Sequence, residues 1–581
     1  MTDATQSTAA PKLSPVEGVK DESCFLFGDI GPEMKDGNEF FGKGSEVLLK
    51  FHGTYQQDDR DERGAVAEDG KKKKSFIFMV RSRIPGGKLT SEQLLEQLKI
   101  CDEIGNTTLR ITSRQSLQLH GVLKSNLKQA IRRINDSQLS TLAACGDVNR
   151  NVMCCPAPYK NNLYRETQEL AHQIAMHFAP RTKAYHELWL TDTDTGVKEL
   201  VGGGDPAGDG FDVEPLYGKH YMPRKFKMGI GFDFDNCVDL YSQDLGLMAI
   251  TQGDKILGYN VLVGGGFGVT PSAKKTFPHL GKKLTFATPE NVISVVEAVF
   301  KVQRDFGNRE DRKVARLKYV VASWGIEKFK EKVEEYYGSK LPEPHASDVR
   351  GFNDHIGWDE QGDGNWFYGL NVENGRIKDT AQIKLKSAIR EVCQTLKPGI
   401  RLTSHQSILF TDVKPEDKEK LIAILKKYNV TLSEEISMAR RYSMACVAWP
   451  TCGLSITESE RALPGIIDHI EVALAKLGLA SERFTIRMTG CPNGCARPYN
   501  SDVGLVGKAK GKYTLFLGGR LLGDRLNFIF KDMVPEEEVA STLLPVFAYF
   551  KQAREANETL GDFCNRKGLE DLTAFAEKFS A

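Results

Sequence analysis

The chain has 581 residues, 40% of them hydrophobic and 27% charged, which suits a globular protein of roughly two to four domains. Lys plus Arg number 78 against 77 Asp plus Glu, a net charge of +1; this argues against nucleic acid or an anionic membrane as the main partner and requires any strong positive field to be local. No apolar run approaches the roughly 18 residues of a membrane span, and the opening Met1-Thr-Asp-Ala-Thr-Gln-Ser-Thr has no basic-then-apolar signal, so a cytoplasmic setting is expected.

In chain order, residues 1–20, rich in Ser, Thr, Ala and Pro, read as a flexible arm. Residues 21–74 read as a wrapping segment, with Lys71 to Lys74 a solvated loop whose second role would be docking an acidic electron donor. The pattern then gives a strand over 75–83, a helix over 90–103 and a strand over 108–120. Residues 201–210 read as a surface loop, and Gly264-Gly-Gly266, without the spacing of a dinucleotide fingerprint, as a turn. Thr288-Pro-Glu-Asn and Thr457-Glu-Ser-Glu signal helix starts, the first by N-cap and proline, the second by capping-box spacing. The eleven His residues show no metal-ligand spacing, and only His120 and His405 stand near repeated strands.

An internal duplication organises the chain. Arg110-Ile-Thr-Ser-Arg-Gln-Ser-Leu matches Arg401-Leu-Thr-Ser-His-Gln-Ser-Ile at a shift of 291, which also carries Phe76 onto Phe367, Val122 onto Val413 and Cys155 onto Cys446. A second block matches at a shift of 258, carrying Cys237 onto Cys495, Tyr241 onto Tyr499 and Asp244 onto Asp502. The fold class expected is therefore α+β, internally duplicated, with pseudo-twofold symmetry, mixed sheets flanked by helices and one active site between the halves. Domains are expected at 75–143 with 348–431 as paired repeats, 144–347 as a first core and 432–581 as a second.

Cys446, Cys452, Cys491 and Cys495 are the most informative residues. Thiolates suit zinc or iron–sulfur clusters; five residues separate the first pair and three the second, wider than most structural zinc spacings, and a disulfide would need an oxidising compartment. The first half keeps only Cys155 and Cys237 at equivalent positions, Asn161 and Asp233 replacing the others, and adds cations such as Lys227 where the second half has Thr485. One half reads as the holder of a metal cluster and the other as an anion binder. Arg81, Arg83, Arg110, Arg114, Arg150 and the run Pro223-Arg-Lys-Phe-Lys227 recur in the duplicated blocks, as a polycarboxylate or oxyanion site requires. With no nucleotide motif, electrons must come from another protein.

These blocks, with Phe51-His-Gly-Thr-Tyr-Gln-Gln-Asp-Asp-Arg-Asp-Glu-Arg63, Asn149-Arg-Asn-Val-Met and Thr489-Gly-Cys-Pro-Asn-Gly-Cys495, closely resemble the siroheme and iron–sulfur sulfite and nitrite reductase family. The resemblance covers nearly the whole chain after the arm and is nearest the sulfite reductase hemoproteins. It implies a 4Fe-4S cluster on Cys446, Cys452, Cys491 and Cys495, with Cys495 bridging to the iron of siroheme. It implies Arg83, Arg150, Lys225 and Lys227 around sulfite, and Arg110, Thr112, Arg114, Gln118 and Lys274 or Lys275 on the siroheme carboxylates, with Asn493 ordering the ligand loop. The implied reaction is six-electron reduction of sulfite to sulfide in assimilatory sulfur metabolism, fed by a flavoprotein reductase subunit or, alternatively, ferredoxin. Nitrite reductases of the family resemble it in cofactors but have Asn where this chain has Lys227. A non-enzymatic electron carrier would account for the cysteines but not for the cations. Cys154 is an additional thiol, and Pro278-His279 departs from the family pattern at a siroheme contact.

Overall fold

A computed structural model describes residues 12–64, 66, 70, 72–185, 187–191, 195, 197–203 and 214–579. Residues 1–11 of the expected arm, Lys71, and residues 204–210 of the expected loop lie outside them.

Phe76–Arg81 is a strand whose four central residues are all buried, and Thr90 caps the helix Ser91–Glu103 reciprocally with Gln93. The stretch expected as one strand over 108–120 is two, Leu109–Ile111 and Leu117–Val122. Between them the chain reverses, with Thr112 N–H donating to Ser116 O at 2.9 Å and Gln115 at φ 54°. The second repeat does the same between Gly399–Leu402 and Ile408–Val413, where Thr403 N–H donates to Ser407 O at 2.9 Å and Gln406 has φ 65°. In both turns the glutamine carboxamide donates to a distant carbonyl, Gln115 to Cys154 at 2.8 Å and Gln406 to Ala445 at 2.9 Å. The duplication extends to single hydrogen bonds.

Each repeat forms a five-stranded sheet, and each sheet is completed by its partner. The first runs Thr54–Asp58, Phe76–Arg81, Leu117–Val122, Leu109–Ile111 and Arg376–Ile377; the second runs Gly357–Glu360, Trp366–Leu370, Ile408–Val413, Gly399–Leu402 and Lys88–Leu89. The exchange brings backbones into contact at Gly87 and Gly375, both at positive φ. A Cβ there would lie 2.5 Å from Leu402 O and 2.1 Å from Ile111 O, so glycine is required. The apolar faces consequently merge into one core, where Leu98 and Leu119 join Ile389 and Phe410.

Two larger sheets carry the other cores. One orders Met153–Cys154, Met228–Phe232, Leu245–Gln252, Lys255–Val263 and Lys282–Ala287; the other Ser443–Ala445, Ile486–Thr489, Val503–Ala509, Lys512–Leu517 and Phe528–Pro535. In both, the first three strands are parallel and the last two antiparallel. The first parallel pair needs a crossover, supplied by the helices Asn162–His177 and Leu463–Leu477.

Several expectations are corrected. The arm is not flexible over its last residues: Pro15–Glu22 is a helix with Glu17 and Lys20 fully buried. The wrapping segment contributes Thr54–Asp58 as a sheet edge. The helix signalled at Thr288 begins at Val292, after a turn in which Asn291 and Val292 both donate to Thr288 O. The capping box at Thr457 does not form, and the helix starts at Leu463. Glu460 is drawn instead to Arg110 and Arg376, at 2.8 and 2.6 Å. Residues 201–203 end the strand Lys198–Gly203, paired with Glu187–Thr191.

Lys20 and Asp147 anchor the N-terminal helix. Asp147 takes two hydrogen bonds from Arg312, at 2.7 and 3.1 Å, and lies 3.8 Å from Lys20. Burial alone would push its carboxyl up, but Arg312 and Lys20 hold it below the ordinary range. The stabilisation is therefore present above about pH 4, the unfolded value, and is lost as pH falls through the lower folded value. Asp147→Asn, which leaves buried cations uncompensated, is expected to cost about 3–5 kcal/mol in urea denaturation.

Candidate cluster and anion site

The four cysteines of the second half stand beyond the carboxyl ends of adjacent parallel strands, the position where open sheets of this kind present ligands. Cys446 directly follows Ser443–Ala445, and Cys491 and Cys495 follow Ile486–Thr489. Burial, then the nearness of Cys495, raises the pKa of Cys446 and of Cys452, and takes Cys491 to about 11. These mutual influences place the four sulfurs in one group. Gly490 N–H and the Asn493 side chain each approach a sulfur at 3.4 Å, Cys446 and Cys491 respectively, as donors that would favour thiolate. All twelve cysteines are free thiols. Four converging sulfurs with N–H donors aimed at them fit an iron–sulfur cluster.

Arg60 holds the loop carrying Cys452. Its guanidinium donates to the carbonyls of Pro450, Cys452 and Ser455 at 2.7, 2.7 and 3.1 Å and stacks 3.6 Å over Trp449.

Across from the thiols is a cationic group rooted in the first half. Burial, then Arg224 and Arg316, brings Lys225 down to about 7, and burial followed by Lys225 and Arg114 lowers Lys227 well below its ordinary value. For both lysines the favourable influence among the strongest is Cys495. Burial and Arg150 bring Arg114 to about 9. Arg114 is held by Gln243 at 2.7 Å and by the carbonyls of Asn151 and Met228, and Arg150 by Gly146 O at 2.7 Å. Among the described residues, Arg114 Nε and both polar atoms of the Asn149 side chain, fully buried beside Phe226, have no hydrogen-bond partner. Crowded cations and unpaired donors fit a polyanionic cofactor and a small anion.

The structure thus brings together Arg114, Arg150, Lys225, Lys227 and Cys495, with Asn493 on the cluster loop. Arg83 is turned elsewhere, donating to Ala175 O with burial depressing its pKa. Lys274 and Lys275 are exposed, and Lys275 pairs with Asp311 at 2.8 Å. Arg110 is engaged by Glu460 and donates to Ala445 O, bracing the strand before Cys446. The Thr112 hydroxyl accepts from the N–H groups of Arg114 and Ser116 and so shapes the turn. Gln118 accepts from Arg81 once its carboxamide is oriented to suit.

Sequence reasoning passed over Arg316, Lys318 and the role of Arg60. Arg316 pairs with buried Asp244 at 2.6 Å, and Lys318, taken to about 7 by burial and Arg316, donates to Gly266 and Gly268 carbonyls. Neither lies in a recognisable motif. Arg60 lies within the segment 51–63 that resembles the family, which is the signal that points to it.

The nitrite and sulphite reductase 4Fe-4S domain matches residues 145–341 and 438–580, and the nitrite/sulfite reductase ferredoxin-like half domain matches 69–137 and 359–428. The chain belongs to the nitrite and sulphite reductase family. It is 42% identical over 562 residues to the sulfite reductase [NADPH] hemoprotein beta-component of Staphylococcus haemolyticus, covering 96% of each chain. It is 43% identical over 585 residues to the sulfite reductase [ferredoxin] of Synechococcus elongatus, covering 98% of this chain and 92% of that one. The Mycobacterium tuberculosis NirA protein has the same fold, with a TM-score of 0.78 at 24% identity over 97% of this chain and 98% of that one. Both family halves fall on the two repeats and two cores described above.

Arg60 touches no sulfur, yet fixes the backbone beside one. Arg60→Ala is expected to weaken cluster retention about 10- to 100-fold, the usual cost of losing an outer-shell partner, read as faster iron loss to a chelator.

Proposed function

We propose that this chain reduces sulfite to sulfide with six electrons, as the catalytic component of a sulfite reductase. The observation that supports the reading is that Cys495 lies near enough to influence the charge of Cys446, Cys452 and Cys491 on the one hand and of Lys225 and Lys227 on the other. Cys446, Cys452, Cys491 and Cys495 would hold a 4Fe-4S cluster, with Cys495 on the side of the siroheme, and the two groups together would supply electrons one at a time to the bound anion.

The chain's own groups do the remainder. Arg114, Arg150, Lys225 and Lys227 gather at one face and attract a dianion, which in turn restores the charge that burial and crowding remove from the lysines. Lys225, poised at about 7, is suited to give a proton to a departing oxygen and to be recharged from solvent. Arg114, with Nε unpaired, and the Asn149 carboxamide are suited to siroheme carboxylates. Arg83 takes part only if its side chain swings from Ala175, and we assign Lys274 and Lys275 no contact in the conformation described.

Lys227 favours sulfite over nitrite, since a second ammonium suits the larger and more negative anion. For the electron donor we take a flavoprotein reductase subunit, with ferredoxin as the alternative; relatives named for each donor align over nearly the whole chain. We place the enzyme in the cytoplasm, where its free thiols would stay reduced.

The test is the visible spectrum of the purified protein, followed by sulfide release with reduced methyl viologen. Siroheme bands with sulfide formation are expected. Faster turnover of nitrite would move the assignment to nitrite reductase, and iron without tetrapyrrole would overturn it. Lys227→Asn is expected to lower kcat/KM for sulfite by about 10²- to 10³-fold, as loss of an electrostatic stabiliser does, and to improve the relative use of nitrite while leaving the bands in place.

A further inference from the structure

The first half contains a second convergence of metal-ligand groups, away from the cluster cysteines. Cys155, Asp235, Cys237 and His355 are buried, and one ligand atom from each lies within 4.8 Å of every other. Cys155 Sγ is 3.1 Å from Asp235 Oδ2 and 3.4 Å from His355 Nε2, and that nitrogen is 3.0 Å from Asp235 Oδ2. The ligands come from three segments: the end of Met153–Cys154, the connection after Met228–Phe232, and the stretch before Gly357–Glu360. We propose that these four residues bind a zinc ion, which staples the stretch carrying His355 to the first core.

The chemistry of the set selects the metal. Two thiolates, an imidazole and a carboxylate are the donors of tetrahedral zinc, with bonds of about 2.3 Å to sulfur and 2.0–2.2 Å to nitrogen and oxygen. Such bonds put sulfur roughly 3.5 Å from its nitrogen or oxygen neighbours and nitrogen roughly 3.4 Å from oxygen, so the observed 3.1 and 3.4 Å for Cys155 Sγ and 3.0 Å between His355 and Asp235 need to open by only a few tenths of an ångström. Asp235 is already oriented by its other oxygen, which accepts from the N–H groups of Cys237 at 3.2 Å and Asn353 at 3.1 Å. That is the outer-shell support a metal carboxylate needs.

Zinc would displace the protons of both thiols and of His355 to solvent, leaving one net negative charge. Arg401, a half-buried arginine close enough to Cys155 to feel its charge, offsets it.

Position gives a second, independent line. Cys155 and Cys237 are the counterparts of Cys446 and Cys495 under the shifts of 291 and 258. The half that lacks two cluster cysteines retains the other two, and Asp235 and His355 complete a smaller donor set. A staple here would also seat Phe352, whose ring meets His405 edge-on at 5.1 Å between centroids.

Elemental analysis and zinc K-edge absorption on the iron-replete holoenzyme test the proposal. About one zinc per chain is expected beside the iron, with about two sulfur and two lighter neighbours at the bond lengths given above. His355→Ala and Cys237→Ser are expected to lose the zinc with iron content unchanged and a lower Tm. Zinc below a tenth of an atom per chain after growth and purification with zinc, an all-sulfur shell, a Cys155–Cys237 disulfide in non-reducing peptide maps, or zinc retained by both variants would overturn it. The wild-type spectrum decides the matter even where a variant does not fold.

Discussion

The guanidinium of Arg497 is where all the parts of this molecule meet. Its Nε lies 2.5 Å from Oδ2 of Asp239, a residue of the first core, and its terminal nitrogens donate to Ser113 O at 3.0 Å and Ser404 O at 3.1 Å. Those serines are equivalent turn residues of the two repeats, and Asp239 and Arg497 are themselves equivalent under the shift of 258. Both lie in the left-handed region, at φ 53° and 56°, each preceding a single 3₁₀ turn. The two serine hydroxyls continue the symmetry, Ser113 donating to Cys495 O and Ser404 to Cys237 O. A symmetric position occupied by opposite charges becomes a bond across the axis. Because Arg487 also reaches Asp239 at 2.8 Å and all three side chains are buried, removing Asp239 leaves two buried guanidinium groups without their counter-charge.

That arrangement explains how a chain of net charge +1 sustains a dense cationic site. Its cations are restrained by acids placed outside the cleft: Arg316 by Asp244, Arg224 and Arg312 by Asp147, Arg110 by Glu460. Asp244 also accepts from the N–H of Lys227, so one carboxylate fixes a lysine backbone and a neighbouring arginine together. Among the described residues the ammonium groups of Lys225 and Lys227 have no such carboxylate partner, and burial with neighbouring cations suppresses their charge until an anion arrives. Preorganised cations of this kind favour an anion without a large rearrangement.

The duplication, the thiol quartet and the run Arg224-Lys-Phe-Lys227 were legible because each repeats or is spaced within a short window. The strand exchange between the repeats was not, since a two-residue strand such as Lys88–Leu89 has no periodicity and is defined by its partner Ile400–Arg401. Thr457 had correct capping chemistry, but Glu460 lies within reach of two arginines from another domain, and a pair of buried ionic contacts outcompetes a local cap. Arg83 illustrates the converse limit. Its motif was sound, yet which way a long side chain turns is set by a carbonyl 92 positions away in sequence.

Strand exchange also bears on why the two halves diverged without separating. Since Lys88–Leu89 completes the second sheet and Arg376–Ile377 the first, neither repeat has a finished sheet or a closed core alone. The two large cores are then held at a fixed distance by turns that belong to both repeats. Under that constraint one core can lose cluster ligands and gain cations while the other keeps its thiols, because the alignment of the two faces does not depend on what either face contains. A single composite site between unlike halves follows from a scaffold whose symmetry is kept in the backbone and broken only in the side chains.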